Sequence, residues 1–264
     1  MAITTLDGYI GSAKQNLAYT KTTTRTPVAT GWYSLFDIAG APGAGTLNVG
    51  NTANGLVPTD ATAGYPTINA FGASATGYVS RIEFSNTVAC RISVYDRVFV
   101  AGAYAFNANT NLASQPSYSG RLPNTDYKGL EIWVEQVTAA TGNQAVSVNY
   151  TNQDGTAART TGAVGIGAAP ALGRCWQLPL QAGDTGVQKI ENVTGSVATV
   201  GTFNVMVLRP LWSGRIGVAN GGDVHDMLRT GLPQIYADSS LYVLVAADST
   251  SSGIPEMSVE VSNA

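Results

Sequence analysis

The stretch Arg91-Ile92-Ser93-Val94-Tyr95-Asp96-Arg97-Val98-Phe99-Val100 sets Ile92, Val94, Val98 and Val100 on one face at a period of two. That is the spacing of a β-strand, because successive side chains of an extended chain point to opposite faces. Leu130-Glu131-Ile132-Trp133-Val134-Glu135 and Ala145-Val146-Ser147-Val148-Asn149-Tyr150 repeat the pattern over shorter runs. β-Branched and aromatic residues dominate all three, and clusters of Gly, Asn, Asp and Pro separate them. The pattern predicts antiparallel sandwiches or jelly rolls rather than βαβ units. An immunoglobulin-like sandwich would need the same alternation.

Around these strands the chain is poor in charge. Of 264 residues, 44% are hydrophobic and only 12% are charged, with 30 Gly, 11 Pro and a net charge of −3. A typical soluble domain is about 25% charged, so Thr, Ser, Asn and Gln must cover much of this surface. The hydrophobic fraction is enough for a core and excludes wholesale disorder. The longest apolar runs, Val98–Ala103 and Leu241–Ala247, are far short of the ~20 residues of a membrane span, so no membrane partner is expected. Four Lys and a net negative charge also give no reason to expect a nucleic-acid partner. The start Met1-Ala2-Ile3-Thr4-Thr5-Leu6-Asp7 has neither the basic nor the apolar region of a secretory signal, which predicts synthesis in a cytoplasm. Cys90 and Cys175 are then expected as free, buried thiols.

An internal repeat organises the strands. Leu130-Glu131-Ile132-Trp133-Val134 and Leu241-Tyr242-Val243-Leu244-Val245 lie 111 residues apart, and Leu130–Asn152 against Leu241–Asn263 gives six identities in 23 positions. Ile82-Glu83 matches Ile190-Glu191, Arg97 and Gly102 match Arg209 and Gly214, and Leu122-Pro123 matches Leu232-Pro233, all in the same order. Gly31–Gly40 aligns with Arg174–Gly183. The reading is all-β: two tandem β-sandwich or jelly-roll-like units from an internal duplication, with a short N-terminal helix and arm. The expected boundaries are 1–30 for the helix and extended arm and 31–152 for the first unit, with a long insertion at about 41–77. A Gly/Ala-rich linker follows at 153–172, and the second unit at 173–264. Leu6, Ile10, Ala13 and Leu17 predict the helix over about 5–18, with Thr4 or Thr5 as N-cap.

Residue chemistry nominates no catalytic, cofactor-binding or metal-ligating residue, and the protein is not expected to be an enzyme. The single histidine, His225, lies in Asp223-Val224-His225-Asp226, where Asp223 can cap a short helix that Gly231 ends. It lacks convergent metal ligands or a nucleophile motif, so a structural role is expected. Gly40–Gly45 and Gly162–Gly167 carry neither GxGxxG nor GK[ST] and read as loops. Glu131 and Glu135, four apart on one strand, are roughly 13 Å from each other, too far for a hydrolytic pair. Glu83 and Glu191 fall in different units. Trp32, Trp133, Trp176 and Trp212 lie in strand-like apolar runs and read as core or interface.

Three stretches carry a family resemblance: Gly31-Trp32-Tyr33-Ser34-Leu35-Phe36-Asp37, Gly77-Tyr78-Val79-Ser80-Arg81-Ile82-Glu83-Phe84 and Cys90-Arg91-Ile92-Ser93-Val94-Tyr95-Asp96-Arg97. With the Thr/Gly/Ala-rich, charge-poor composition, they resemble virion structural proteins of tailed bacteriophages, most of all capsid decoration (cement) proteins. The resemblance implies a non-enzymatic protein of the virion, made in the host cytoplasm and located on the capsid surface. There it would bind the major capsid protein and itself, as a homo-oligomer with a trimer as the first symmetry to test, and stabilise the shell by bridging capsomers. The alternative is a tail- or fibre-associated β module that binds host surface glycans. Residues 1–27 and 41–77 lack the pattern of a self-sufficient core, so they are expected to order against neighbouring copies.

Overall fold

The computed structural model describes residues 3, 5–72, 76–168, 170–196 and 200–263. Among the described residues the chain is all-β with two short α-helices, α1 (Leu6–Gly11) and α2 (Met227–Thr230), and two 3-10 turns at Ser119–Arg121 and Pro123–Thr125. The first strands are β1 (Lys14–Lys21), β2 (Trp32–Ser34), β3 (Gly40–Ala41), β4 (Asn51–Leu56), β5 (Gly77–Asn86) and β6 (Cys90–Ala105). Next come β7 (Asn109–Asn111), β8 (Glu131–Thr138), β9 (Asn143–Asn152), β10 (Arg159–Thr160), β11 (Val164–Ala168) and β12 (Arg174–Leu178). The last are β13 (Val187–Gly195), β14 (Thr202–Ile216), β15 (Gly221–His225), β16 (Gln234–Ile235), β17 (Leu241–Ala247) and β18 (Glu256–Asn263).

Six of these strands close into a ring. In order they are β14, β8, β12, β2, β17 and β6, and β6 pairs back onto β14, every pair antiparallel. Closure removes the free edges that an open sheet would present. Tyr95, Trp133, Met206, Leu208, Tyr242 and Leu244 fill the interior of this barrel. Two further sheets cover its outside. One runs β15-β5-β18-β1-β3, with β16 on β5; the other runs β10-β9-β13-β7, with β11 on β9. In the first sandwich Ile92, Val94, Val243 and Val245 pack with Ile82, Phe84, Val259 and Val261. In the second, Ile132, Val134, Phe203 and Val205 pack with Val146, Val148, Ile190 and Val193.

The long strands β6 and β14 serve both sandwiches. Ile92 and Val94 lie in the first, and further along β6 Val98, Phe99 and Ala101 lie in the second. The alternation seen in the sequence breaks at Val98. The register steps from Phe99 opposite Val207 to Arg97 opposite Leu208, which leaves Val98 as a bulge. A bulge puts two residues against one and re-aims those that follow. Val98 and Phe99 therefore both face the second sandwich, and Val100 turns into the barrel instead of sharing the face of Ile92.

The core pairings map onto themselves when β2, β5, β6, β8 and β9 are exchanged for β12, β13, β14, β17 and β18. Thus β5 pairs with β18 as β13 pairs with β9, and β6 with β17 as β14 with β8. Within the β6–β14 ladder, Val94 stands opposite Trp212 and Val100 opposite Met206. This is the exchange that the sequence anchors define. The segments 31–152 and 173–264 are not, however, two self-contained sandwiches. Each flanking sheet takes its central strands from both segments, so the expected boundaries divide the sequence but not the core.

Three local expectations are corrected. The helix ends at Gly11, not near residue 18, and Thr5 caps it by accepting from the Gly8 N–H at 3.0 Å; Thr4 lies outside the described residues. Leu17 and Tyr19, two apart, are buried together on β1, which pairs with β18 over Lys14–Thr20. An open sheet edge outweighs the helical stripe, and residues 14–21 are a strand rather than an arm. The Gly/Ala-rich stretch 153–172 is not a free linker either. β10 and β11 pair with β9, and Ile166 is buried in the second sandwich. Finally, the segment 41–77 packs on its own chain where it is described. Leu47 and Tyr65 close one end of the barrel, and Ile68 and Phe71 join the first sandwich, while residues 73–75 lie outside the described residues.

Candidate functional site

Charged groups are few, and most of the buried ones are committed to the core. Inside the barrel the Glu135 carboxylate is fully buried. It accepts from Ser34 Oγ at 2.6 Å, from Asn204 Nδ2 at 3.2 Å and from the Tyr242 hydroxyl. The Arg97 guanidinium stands 3.6 Å away, over the rings of Phe36, Tyr65 and Tyr242. Asp96, where β6 passes between the sandwiches, is held by Arg121, by Arg209 at 3.2 Å, by Ser239 Oγ at 2.8 Å and by the Ser240 N–H at 3.0 Å. Such clusters strongly resist removal of one partner. Both read as structural.

His225 also has a structural anchor. Its Nδ1 accepts from Trp212 Nε1 at 2.9 Å, and its ring packs edge-on against Phe84 and Trp212. With Nδ1 accepting, the neutral imidazole carries its proton on Nε2, which faces Asp223 Oδ2 at 3.3 Å. The capping differs from the expected arrangement. Asp226, not Asp223, caps α2, accepting from the Leu228 and Arg229 N–H groups, and Gly231 ends it at φ 72°. Asp223 belongs to β15, opposite Phe84. The neighbouring Val224 N–H and the Arg229 guanidinium hold its carboxyl below the usual range.

Beside this histidine lies an open hollow of about 490 Å³. Its floor is the β6–β14 ladder, where Ser93 stands opposite Ser213 and Arg91 opposite Arg215. Trp32 from β2 forms one wall, and Asp223, His225 and Arg229 the other. Arg91 lies 5.4 Å from the Trp32 ring centre. Arg229 pairs with Asp223 at 3.1 Å, and Arg215 reaches Asp248 at 3.6 Å. A second hollow of about 540 Å³ shares Asp223 but is walled by Glu83 and Glu256 and is acidic.

The remaining sequence candidates are dispersed. Glu131 accepts from Trp133 Nε1 at 2.7 Å, and burial pushes its carboxyl up. Glu83 pairs with exposed Arg81, whereas Glu191 accepts from Thr151 Oγ1 and the Ala158 N–H. Cys90 and Cys175 are free and buried, in the first sandwich and the barrel. Trp133 and Trp212 are core, whereas Trp32 and Trp176 are half-buried. Among the described residues, no group of three His, Cys, Asp or Glu stands close enough to hold a metal ion.

Sequence reasoning missed the arginines of the hollow because only the β6–β14 register makes Arg91 and Arg215 neighbours. The signal on hand was their placement in apolar strands of a charge-poor chain. No family model and no curated protein matches the chain. Solved structures of capsid particles share faint likeness with it. Infectious bursal disease virus Gt strain is 9% identical, over 96% of this chain and 80% of that one, with a TM-score of 0.19. The Gx strain is 10% identical, over 95% and 79%, with a TM-score of 0.21. The infectious bursal disease virus VP2 subviral particle is 11% identical, over 96% and 80%, with a TM-score of 0.20. Likeness at that level carries no argument about fold or role, and the chain's own geometry has to supply one.

Proposed function

We propose that the protein is a non-enzymatic virion structural protein of the capsid decoration type. In this reading it binds the major capsid protein on the outer head surface, assembles with further copies of itself and bridges capsomers. The observation that supports it is the placement of five of the seven large exposed aliphatic side chains among the described residues, Val28 and Val200 being the other two. Leu6 and Ile10 on α1, with Val218, Val224 and Leu228 around β15 and α2, are 42–86% exposed. No residue of α1 is buried. Both helices border the same sheet: Tyr9 of α1 donates to Glu260 of β18, and Thr230 of α2 to the Val79 carbonyl of β5. Exposed aliphatics gathered around one sheet suit a docking face, whereas the barrel and both sandwich cores are buried within the chain.

Cryo-EM of purified particles tests the location directly, and density for this fold on the head exterior is the expected result. A Leu6→Ser, Ile10→Ser, Leu228→Ser variant should keep its circular dichroism and lose roughly tenfold in affinity for stripped heads, about 1.4 kcal/mol. Density at the tail, or undiminished binding of the variant, would discard the decoration reading. Light scattering of the free protein reads the oligomer, with a trimer expected.

A further inference from the structure

We propose that the hollow between Arg91 and Arg229 is a binding site for a carboxylated saccharide. Three guanidinium groups, of Arg91, Arg215 and Arg229, line it against the one carboxylate of Asp223. Arg91 and Arg215 stand directly opposite each other across the β6–β14 ladder. Like charges so placed destabilise a sheet, and an anion between them relieves the repulsion. Of the charges in the hollow, Asp223 is engaged by Arg229 and His225, and Arg215 has Asp248 nearby. The Arg91 guanidinium has no hydrogen-bond or ion-pair partner among the described residues and is steadied only by the Trp32 ring. A guanidinium held by an aromatic face keeps its fork of N–H donors available and matches a carboxylate with two parallel hydrogen bonds.

The shape of the hollow argues for a sugar acid over other anions. About 490 Å³ is far more than a lone carboxylate fills and falls in the range of small-molecule sites. The hydroxyls of Ser93 and Ser213 can give and accept beside the donor forks of Arg91 and Arg215, while Asp223 and the His225 Nε2–H are already paired with each other on the far wall. This mixed set suits the hydroxyls of a pyranose ring. An acidic peptide is less well served at Arg91 itself, because β6 is paired on both sides there, by β14 and by β17, and cannot take a further strand. The inference concerns ligand chemistry and does not depend on where the protein sits in a particle.

Calorimetric titration of the full chain with glucuronic acid, N-acetylneuraminic acid, glucose and inorganic sulfate tests it. Either sugar acid should bind, with glucose and sulfate each roughly tenfold weaker or more. Arg91→Ala should weaken sugar-acid binding by about tenfold or more without lowering the melting temperature, since Arg91 is exposed and its removal relieves the repulsion with Arg215. Arg91→Lys, which keeps the charge and loses the fork, should fall between the two. Equal binding of sulfate and glucuronate would reduce the site to a general anion site and overturn the proposal. Absence of sugar-acid binding, or binding that Arg91→Ala leaves unchanged, would overturn it as well.

Discussion

In the first sandwich, β5 and β18 cover one side of the barrel through Ile82, Phe84, Met257 and Val259; in the second, β13 and β9 cover the other through Ile190, Val193, Val146 and Val148. The central pairs follow one rule, a strand from one half of the chain beside a strand from the other. The borders follow none. The first sheet is finished by β1, β3, β15 and β16, with α2 beside it and buried Lys21 donating to the Ile38 and Pro42 carbonyls at 3.0 Å. The second is finished by β7, β10 and β11, beside an Asp184 carboxylate that accepts from Arg159, Asn152 and Tyr150. Strand exchange fixes the centre, since changing one pair disturbs both halves. The borders answer to local packing alone, and five of the exposed aliphatic residues and the arginine hollow adjoin the borders of the first sheet.

Separating the halves is the most drastic test of that contrast. Fragments 1–170 and 171–264 should each lack cooperative unfolding alone and recover it when refolded together, as read by circular dichroism. A fragment that unfolds cooperatively alone would mean that the exchanged strands are dispensable. Glu135→Ala, in the barrel common to both sandwiches, strands Arg97 in an apolar site and should cost about 3–5 kcal/mol in urea denaturation. The loss should appear as one transition, because neither sandwich is complete without the barrel. Ile82→Ala and Ile190→Ala probe matched positions, each fully buried in its own sandwich. Each should cost about 2–5 kcal/mol, and a loss confined to one would break the equivalence.

The borders should separate by pH, with smaller effects. Hydrogen bonds led by Arg159, with Asn152 and Tyr150, hold Asp184 down at about 2. Its share of stability is complete above the usual Asp value of about 3.9 and is lost as pH falls from there to about 2. Asp184→Asn should flatten that part of the acid limb. Burial lowers Lys21 to about 8. The folded state then releases this proton before the unfolded chain does, so the Lys21 contribution rises between pH ~8 and ~10.4. Lys21→Met should remove that rise, and an unchanged slope would show that the ammonium is not desolvated.

Much of the centre was legible because it depends on local alternation and on order along the chain. Ile82 and Ile190, or Val134 and Val245, could be matched without knowing what they touch. Ring closure was not legible, since it turns on β2 meeting β12, two short strands whose pairing spans only Trp32–Tyr33 and Arg174–Cys175. The N-terminal helix was overextended because Leu6, Ile10, Ala13 and Leu17 satisfy a helical period, while Leu17 and Tyr19 satisfy a strand period over the same ground. Only the open edge of β18 decides between them. The arginine hollow lay beyond reach for the same reason, since register between distant strands is a tertiary property.

The pairing of β1 with β18 has a mechanical consequence. Lys14 stands opposite Ser262, so a load applied at these two positions pulls on adjacent ends of one ladder. Such a load opens the ladder like a zipper, one rung at a time. A load applied along β6 and β14 in opposite directions has to slide a ladder running from Thr202–Ala105 to Ile216–Cys90, with all its rungs strained together. Under tension the molecule should therefore be soft when pulled through β1 and β18 and stiff when pulled through its barrel, so the direction of a force decides how much of it the fold can bear.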